Sequence, residues 1–321
     1  MTETTFVEAI AKTLAIAMRE DERVIVLGED VAEGGPYLAT AGLSEEFGRE
    51  RVRNTPISEG AVCGVAIGAA QSGYKPVVEI MFIDFITLAL DQLVNQAAKA
   101  HFMSGGQLSM PLVLRTQGGA GQRNGAQHSQ SLEAWLTHVP GLKVVMPSNA
   151  ADAAGLLQAA ISDPNPVVFV ENKTLYFRRE ETAGTAEVGL GRARVVRPGS
   201  DVTVVALSRL VHEAVAAADE LAEAGIDVEV IDPRTLVPLD LDTIVESVAR
   251  THRLVVAHEA VRSGGFGAEL AALVQEAAFE ELDAPVARVG APFAPVPFSP
   301  PLEDGYLPGK DEIVAAVRSV L

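Results

Sequence analysis

Short apolar runs that do not alternate with polar residues constrain this chain most. Val24-Ile25-Val26-Leu27-Gly28, Val77-Val78-Glu79-Ile80-Met81-Phe82, Leu112-Val113-Leu114, Val144-Val145-Met146 and Val167-Val168-Phe169-Val170 are of this kind. A strand with one wet face alternates, whereas one that does not needs cover on both sides, as in a parallel sheet between helices. The intervening stretches supply that cover. Phe6, Ile10, Leu14 and Ala17 share one helical face, and helices are expected at about 60–72, 86–103 and 150–162. A second series of the same kind runs through Val202-Thr203-Val204-Val205-Ala206-Leu207, Val228-Glu229-Val230-Ile231 and Leu254-Val255-Val256-Ala257. Its helices are expected at about 210–224, 239–250 and 266–280. The stretch 181–200 breaks the rhythm with Gly184, Gly189 and Gly191 and ends in Arg197-Pro198-Gly199, so it reads as a linker or an extended crossing segment. The fold class expected is α/β with two parallel-sheet domains, 1–180 and 201–321, joined at 181–200. A length of 321 residues exceeds what one core usually holds and agrees with that division.

Composition removes several function classes. Twenty-five basic against 43 acidic side chains give a net charge of −18, which repels a phosphate backbone, so nucleic-acid binding is not expected. The apolar runs fall far short of the ~20 residues that span a bilayer. The N-terminal Met1-Thr2-Glu3-Thr4-Thr5 lacks the basic and apolar regions of a signal peptide, and a cytoplasmic protein without membrane contact is expected. One cysteine, Cys63, excludes an internal disulfide, and the six histidines lack zinc-ligand spacing. Residues 186–321 hold 11 basic and 22 acidic side chains, the more acidic part of the chain.

Four segments could carry chemistry or be mistaken for it. Gly118-Gly119-Ala120-Gly121 lacks the Gly-Lys-Ser/Thr of a phosphate loop, and Gly264-Gly265-Phe266-Gly267 lacks dinucleotide spacing; both read as tight turns at helix starts. In Thr55-Pro56-Ile57-Ser58-Glu59-Gly60, Ser58 is a candidate cap and Glu59 falls in the first helical turn. There Glu59 either complements the helix dipole or sits in a pocket floored by Ile57, where low polarity lets it share a proton. In Asn124-Gly125-Ala126-Gln127-His128-Ser129-Gln130-Ser131, a loop following a strand, His128 is a general acid/base candidate or a hydrogen-bonded loop histidine. No Gly-x-Ser-x-Gly elbow accompanies Ser129, which argues against a hydrolase. Five prolines between Pro292 and Pro301 read as an ordered loop too stiff for a helix.

Taken together, the segments resemble the beta subunit of the thiamine-diphosphate-dependent decarboxylating component of 2-oxo acid dehydrogenase complexes. The matching blocks are Leu27-Gly28-Glu29-Asp30, Thr55-Pro56-Ile57-Ser58-Glu59, Asp91-Gln92-Leu93-Val94-Asn95-Gln96-Ala97-Ala98-Lys99 and Gln127-His128-Ser129-Gln130-Ser131. Pro140-Gly141-Leu142-Lys143-Val144-Val145, Asp163-Pro164-Asn165-Pro166-Val167 and Asp232-Pro233-Arg234-Thr235-Leu236 continue the series. The resemblance implies a pyrimidine-binding domain followed by a transketolase C-terminal-like domain, in an α2β2 heterotetramer with the cofactor shared between subunits. No Gly-Asp-Gly occurs in the chain, so the diphosphate and Mg2+ are expected on the alpha subunit.

By the same resemblance Glu59 meets N1′ of the aminopyrimidine and favours its imino form, whose nitrogen removes the thiazolium C2 proton. Phe85 packs on the pyrimidine, Ile57 is an apolar contact to it, and Glu29 is an acidic position near the cofactor. His128 corresponds to a histidine that protonates or orients the lipoyl group during acyl transfer. Leu112, Ala160, Ile161, Asp163 and Asn165 match a monovalent-cation site, with K+ as the expected ion. The partners implied are the alpha subunit, the lipoyl domain and the peripheral subunit-binding domain of the acyltransferase core, a basic domain that an acidic C-terminal half would attract. Pyruvate is the preferred substrate because Ala126-Gln127 precedes His128 where branched-chain enzymes commonly have a bulkier Leu-Tyr pair. Phe82-Ile83-Asp84-Phe85 resembles the acetoin branch equally well. The alternatives are therefore acetoin or branched-chain dehydrogenase and, from a different class, a non-catalytic assembly subunit.

Overall fold

The computed structural model describes residues 2–182 and 188–321; residues 183–187, with Gly184 of the expected linker, lie outside them. The chain divides into two compact units, the first 1–118 with 135–190 and the second 119–134 with 191–321.

The first unit opens with β1 (Thr2–Thr5) and α1 (Phe6–Glu20). Thr5 caps α1 by accepting the Glu8 N–H at 3.2 Å, and the Glu8 carboxylate takes the Thr5 N–H at 2.9 Å, a reciprocal box that satisfies two free donors. Phe6, Ile10, Leu14 and Met18 bury the predicted face, each contributing about 1.5–3 kcal/mol. Then follow β2 (Val24–Gly28), α2 (Leu43–Phe47), β3 (Val52–Asn54), α3 (Glu59–Gln71) and β4 (Lys75–Ile80). The next stretch is a 3-10 turn at Ile83–Leu88, a π-helical turn at Gln92–Ala97, and α4 (Ala98–Met103). The single helix expected over 86–103 is thus three helical types, which a hydrophobic period does not distinguish. β5 (Val113–Gly118), α5 (Glu133–Thr137), β6 (Lys143–Val145), α6 (Ala150–Ser162), β7 (Val167–Asn172) and β8 (Arg179–Thr182) follow. Strands β6-β7-β5-β4-β2-β3 lie side by side and all parallel. Helix α1 packs on α6, where Ala9, Ala150 and Ala154 permit a close approach. β1 pairs antiparallel with β8.

The strand order reverses beside β2. From β2 the chain goes outward to β3, then returns to β4 on the other side of β2. A crevice opens beyond the carboxyl ends of strands at such a point, because successive connections leave on opposite sides.

The second unit contains β9 (Arg194–Arg197), β10 (Val202–Ala206), α7 (Leu210–Glu223), β11 (Val228–Asp232) and β12 (Thr235–Val237). It continues with α8 (Leu241–Thr251), β13 (Leu254–Val261), α9 (Phe266–Ala278), β14 (Ala287–Ala291), α10 (Pro300–Tyr306) and α11 (Lys310–Val320). Its sheet runs β14-β13-β10-β11-β9, parallel except for the antiparallel edge strand β9. Within the proline-rich run, Pro300 and Pro301 begin α10, where a missing N–H costs no hydrogen bond. Among the described residues no helix is long and apolar enough to cross a membrane.

Candidate functional site

The reversal of strand order in the first unit gathers three of the expected cofactor residues. Glu29 directly follows β2, Glu59 is the first residue of α3 after β3, and Phe85 lies on the 3-10 turn after β4. Close backbone packing fixes this edge. A Cβ on Gly28 would lie 2.8 Å from the Glu79 carbonyl oxygen, and one on Gly60 would lie 3.1 Å from that of Leu88. Glycine at both positions lets the three connections converge.

Glu29, Glu59 and Phe85 are all half-buried. The Glu29 carboxyl is pushed up from its ordinary range first by burial, then by the neighbouring charges of Asp30 and Glu59. Ionising Glu29 there means adding a charge beside those of Asp30 and Glu59 in a partly dry cleft, so Glu29 keeps its proton to higher pH. Phe85 follows on the turn after β4, so an aromatic side chain and two carboxylates stand at the same end of the sheet. Ile57 is 73% exposed, so it does not floor a pocket within this chain. Ser58 precedes the helix without a side-chain capping bond. Cys63 is buried, and its thiol is pushed up to about 12 by burial and the Glu59 charge, so it is not a nucleophile.

A buried ion cluster lies within the same sheet. Arg115 on β5 donates to Glu79 on β4 at 2.5 Å and to both oxygens of Glu171 on β7 at 2.7 and 2.9 Å. Tyr176 also donates to Glu171, and its ring meets that of Tyr37 with centroids 4.9 Å apart. Tyr37 in turn touches Phe82, over which the Lys173 ammonium sits at 4.5 Å. Sequence reasoning passed over these residues. The available signal was a single charge set inside each of three apolar strands.

Leu112, Ala160, Ile161, Asp163 and Asn165 belong to one tightly bonded turn. Asp163 N–H donates to the Ala160 carbonyl at 3.3 Å, Asn165 N–H to the Asp163 carboxylate at 2.9 Å, and Val167 N–H to the Leu112 carbonyl at 2.9 Å. Lys143 pairs with the Asp163 carboxylate. Among the described residues no group of three or more His, Cys, Asp or Glu could hold a metal.

In the second unit, Gly119-Ala120-Gly121 opens a loop instead of the expected helix start. Gly119 N–H donates to the Gln130 carbonyl at 2.9 Å, and Gly119, Gly121, Arg123 and Gly125 have φ from 62° to 97°. Half-buried His128 lies within this loop, its N–H meeting the Gly125 carbonyl at 3.3 Å. A cavity of about 400 Å³ is lined by Ala126, Gln130 and Leu132 from the loop and by Glu259, Phe293 and Tyr306. Glu133, where α5 begins, is fully buried, and neither carboxylate oxygen meets a donor from another residue. Burial, aided by the charge of Glu259, pushes its carboxyl up to about 7.

Two family descriptions match the chain: the pyrimidine-binding domain of transketolase over residues 2–178 and the transketolase C-terminal domain over 191–313. The chain is 46% identical to the beta subunit of acetoin:2,6-dichlorophenolindophenol oxidoreductase from Bacillus subtilis, covering 98% of this chain and 96% of that one. It is 47% identical to the pyruvate dehydrogenase E1 component beta subunit of Rhizobium meliloti, covering 98% and 69% respectively. A split-gene transketolase solved as an inactive beta4 tetramer superimposes with a TM-score of 0.81 at 26% identity, over 98% of this chain and 97% of that one. Transketolase from Leishmania mexicana, at 21% identity and a TM-score of 0.77 over 100% of this chain and 46% of that one, shares the fold. With both transketolase-type domains present and relatives matching almost end to end, the chain belongs to the beta-subunit family that includes the pyruvate dehydrogenase E1 and acetoin oxidoreductase beta subunits.

Proposed function

We propose that this chain is the beta subunit of a thiamine-diphosphate-dependent 2-oxo acid dehydrogenase, acting on pyruvate and passing the acyl group to a lipoyl carrier. The observation that carries this reading is Glu59 at the start of α3, coupled to Glu29 at the crevice where the strand order reverses. Thiamine diphosphate, when bound, would supply a nucleophilic carbon and an electron sink for decarboxylation. Glu59 exchanges a proton with N1′ of the aminopyrimidine, and Glu29 lies beside it. Phe85 presents a ring face to the pyrimidine, with Ile57 as a further apolar contact.

The remaining parts of the site belong to an alpha subunit that brings the diphosphate and Mg2+, so the beta chain is active only in an α2β2 assembly. Support comes from apolar surface left bare in the first unit: Ile57, Val65 and Leu88 are each at least 64% exposed, and Phe102 is 86% exposed. Such a concentration is what a partner covers. His128 donates a proton to the lipoyl dithiolane or orients its arm. The turn at Leu112, Ala160, Ile161, Asp163 and Asn165 holds K+ through its carbonyl oxygens. Residues 1–180 form the pyrimidine-binding domain and 201–321 the C-terminal domain, whose acidity attracts the basic domain of the acyltransferase core. The compartment proposed is the cytoplasm.

A second reading, cleavage of acetoin without loss of carbon dioxide, is favoured by the near-equal identity to the Bacillus oxidoreductase subunit. Co-expression with the alpha chain, followed by dye reduction and carbon dioxide release on pyruvate, branched 2-oxo acids and acetoin, separates the readings. Carbon dioxide from pyruvate supports the first, and dye reduction on acetoin without carbon dioxide supports the second. A stable, cofactor-binding complex inactive on all of these contradicts both.

A further inference from the structure

The loop that carries His128 is glycine-rich and flexible in composition, so its conformation has to be held from outside. Four of its positions, Gly119, Gly121, Arg123 and Gly125, are left-handed, and Arg123 adopts that conformation with a full side chain at φ 62°. A non-glycine residue stays there only when its surroundings hold it. Those surroundings come from far along the chain but from the same compact unit.

Glu303 on α10 is completely buried. One oxygen accepts the Gly121 N–H at 2.9 Å; the other accepts the Arg123 N–H at 3.1 Å and its guanidinium at 2.5 Å. Glu259 takes the Ala120 N–H at 2.6 Å and is itself fixed by Arg209 at 2.8 Å. Phe298 closes on Gly125, where a Cβ would come within 3.3 Å of the ring. Two carboxylates therefore receive three of the four amides from 120 to 123. Charge-assisted bonds of this kind are about twice as strong as neutral ones, and a buried carboxylate without donors is costly.

We propose that Glu303, assisted by Glu259, is a positioning residue that sets the His128 loop and thereby places the imidazole for acyl transfer. The inference rests on the reading of His128 given above. Glu303 touches no reacting atom; it fixes the backbone five to seven residues before the histidine, where a displacement of about 1 Å lowers a rate by as much as 100-fold. The clamp is specific to the step that needs His128, so the partial reactions respond unequally to its loss.

The test uses the α2β2 complex with thiamine diphosphate and Mg2+, measuring acylation of an isolated lipoyl domain beside dye reduction, which bypasses that domain. For Glu303→Gln the ratio of lipoyl acylation to dye reduction is expected to fall roughly 10- to 100-fold. Hydrogen exchange at amides 120–123 should rise in the same variant, and Glu303→Asp should recover part of the ratio. A double variant with His128→Ala should be no slower than His128→Ala alone. An unchanged ratio in Glu303→Gln, or equal loss of both rates, overturns the positioning role. If His128→Ala leaves lipoyl acylation intact, the reading of His128 fails first, whatever Glu303 does. Should Glu303→Gln not assemble, Arg123→Ala, on the partly exposed side of the clamp, should lower the ratio in the same direction. An unaltered ratio there also overturns the proposal.

Discussion

The crevice of the first unit and the loop of the second are built on opposite principles. Glu29, Glu59 and Phe85 come together because parallel strands end at one edge and the strand order reverses there, so the sheet does the positioning. His128 stands on a loop with no regular structure and relies on carboxylates more than 130 residues away in the chain. The sheet edge is half-open and bordered by bare apolar side chains, whereas the loop is tied down within its own unit. Side chains that must meet a large cofactor need an open wall. In the function proposed here, a histidine that meets a mobile carrier needs a fixed base.

If the sheet does the positioning in the first unit, its internal charges carry the largest single risk. Arg115→Leu leaves Glu79 and Glu171 buried without their cation and should cost about 3–5 kcal/mol, read as a lowered urea midpoint. A midpoint close to that of the parent would show that the cluster is not what keeps the strand ends in place.

Glu133 sharpens the contrast from the other side, because it is buried without a partner. Its folded carboxyl titrates at about 7 instead of 4.5, so the folded state retains a proton that the unfolded chain releases. Below pH 4.5 both states are protonated. As pH rises from 4.5 to 7 stability declines, by about 3 kcal/mol, and stays at the lower level above that window. Glu133→Gln should remove this decline and raise the melting temperature at pH 8 while leaving it little changed at pH 4.5. Parallel pH profiles for the two proteins would contradict the assignment.

The smallest effect concerns the second unit's core. His258 is fully buried, and a Cβ on Gly267 would lie 2.5 Å from its ring. Gly267→Ala should cost about 1–3 kcal/mol by overpacking, measured by thermal unfolding. A neutral result would mean the ring has room to move, and the loop's base would be softer than this account requires.

Much of the architecture was legible because parallel strands leave an unmistakable mark. The runs at Val24–Gly28, Val167–Val170 and Val202–Ala206 are apolar on both faces, and each proved to be a central strand. Edge strands were not legible. Val52–Asn54 has one buried residue, and Arg194–Arg197 is polar enough to pass for linker. Gly264–Gly267 was correctly read as a turn entering a helix, but its reason, room for the His258 ring, lies in another element. Of the candidate site, Glu59 stood out by its place in a first helical turn and by resemblance. Its coupling to Glu29 needed the fold, since the two are brought together by adjacent strands. Glu303 could not be found at all, because a contact spanning 182 residues leaves no local pattern.

The proposed function turns on Glu59 exchanging the proton on which the cofactor's activation would depend. Its most direct test is Glu59→Gln in the co-expressed complex, with carbon dioxide release from pyruvate and thiamine diphosphate binding measured on the same preparation. Glutamine keeps the size and one hydrogen bond but cannot exchange the proton. The account predicts a rate lower by roughly 10²- to 10⁴-fold with binding changed only a few-fold. A Glu59→Gln complex that turns over near the parental rate would contradict it.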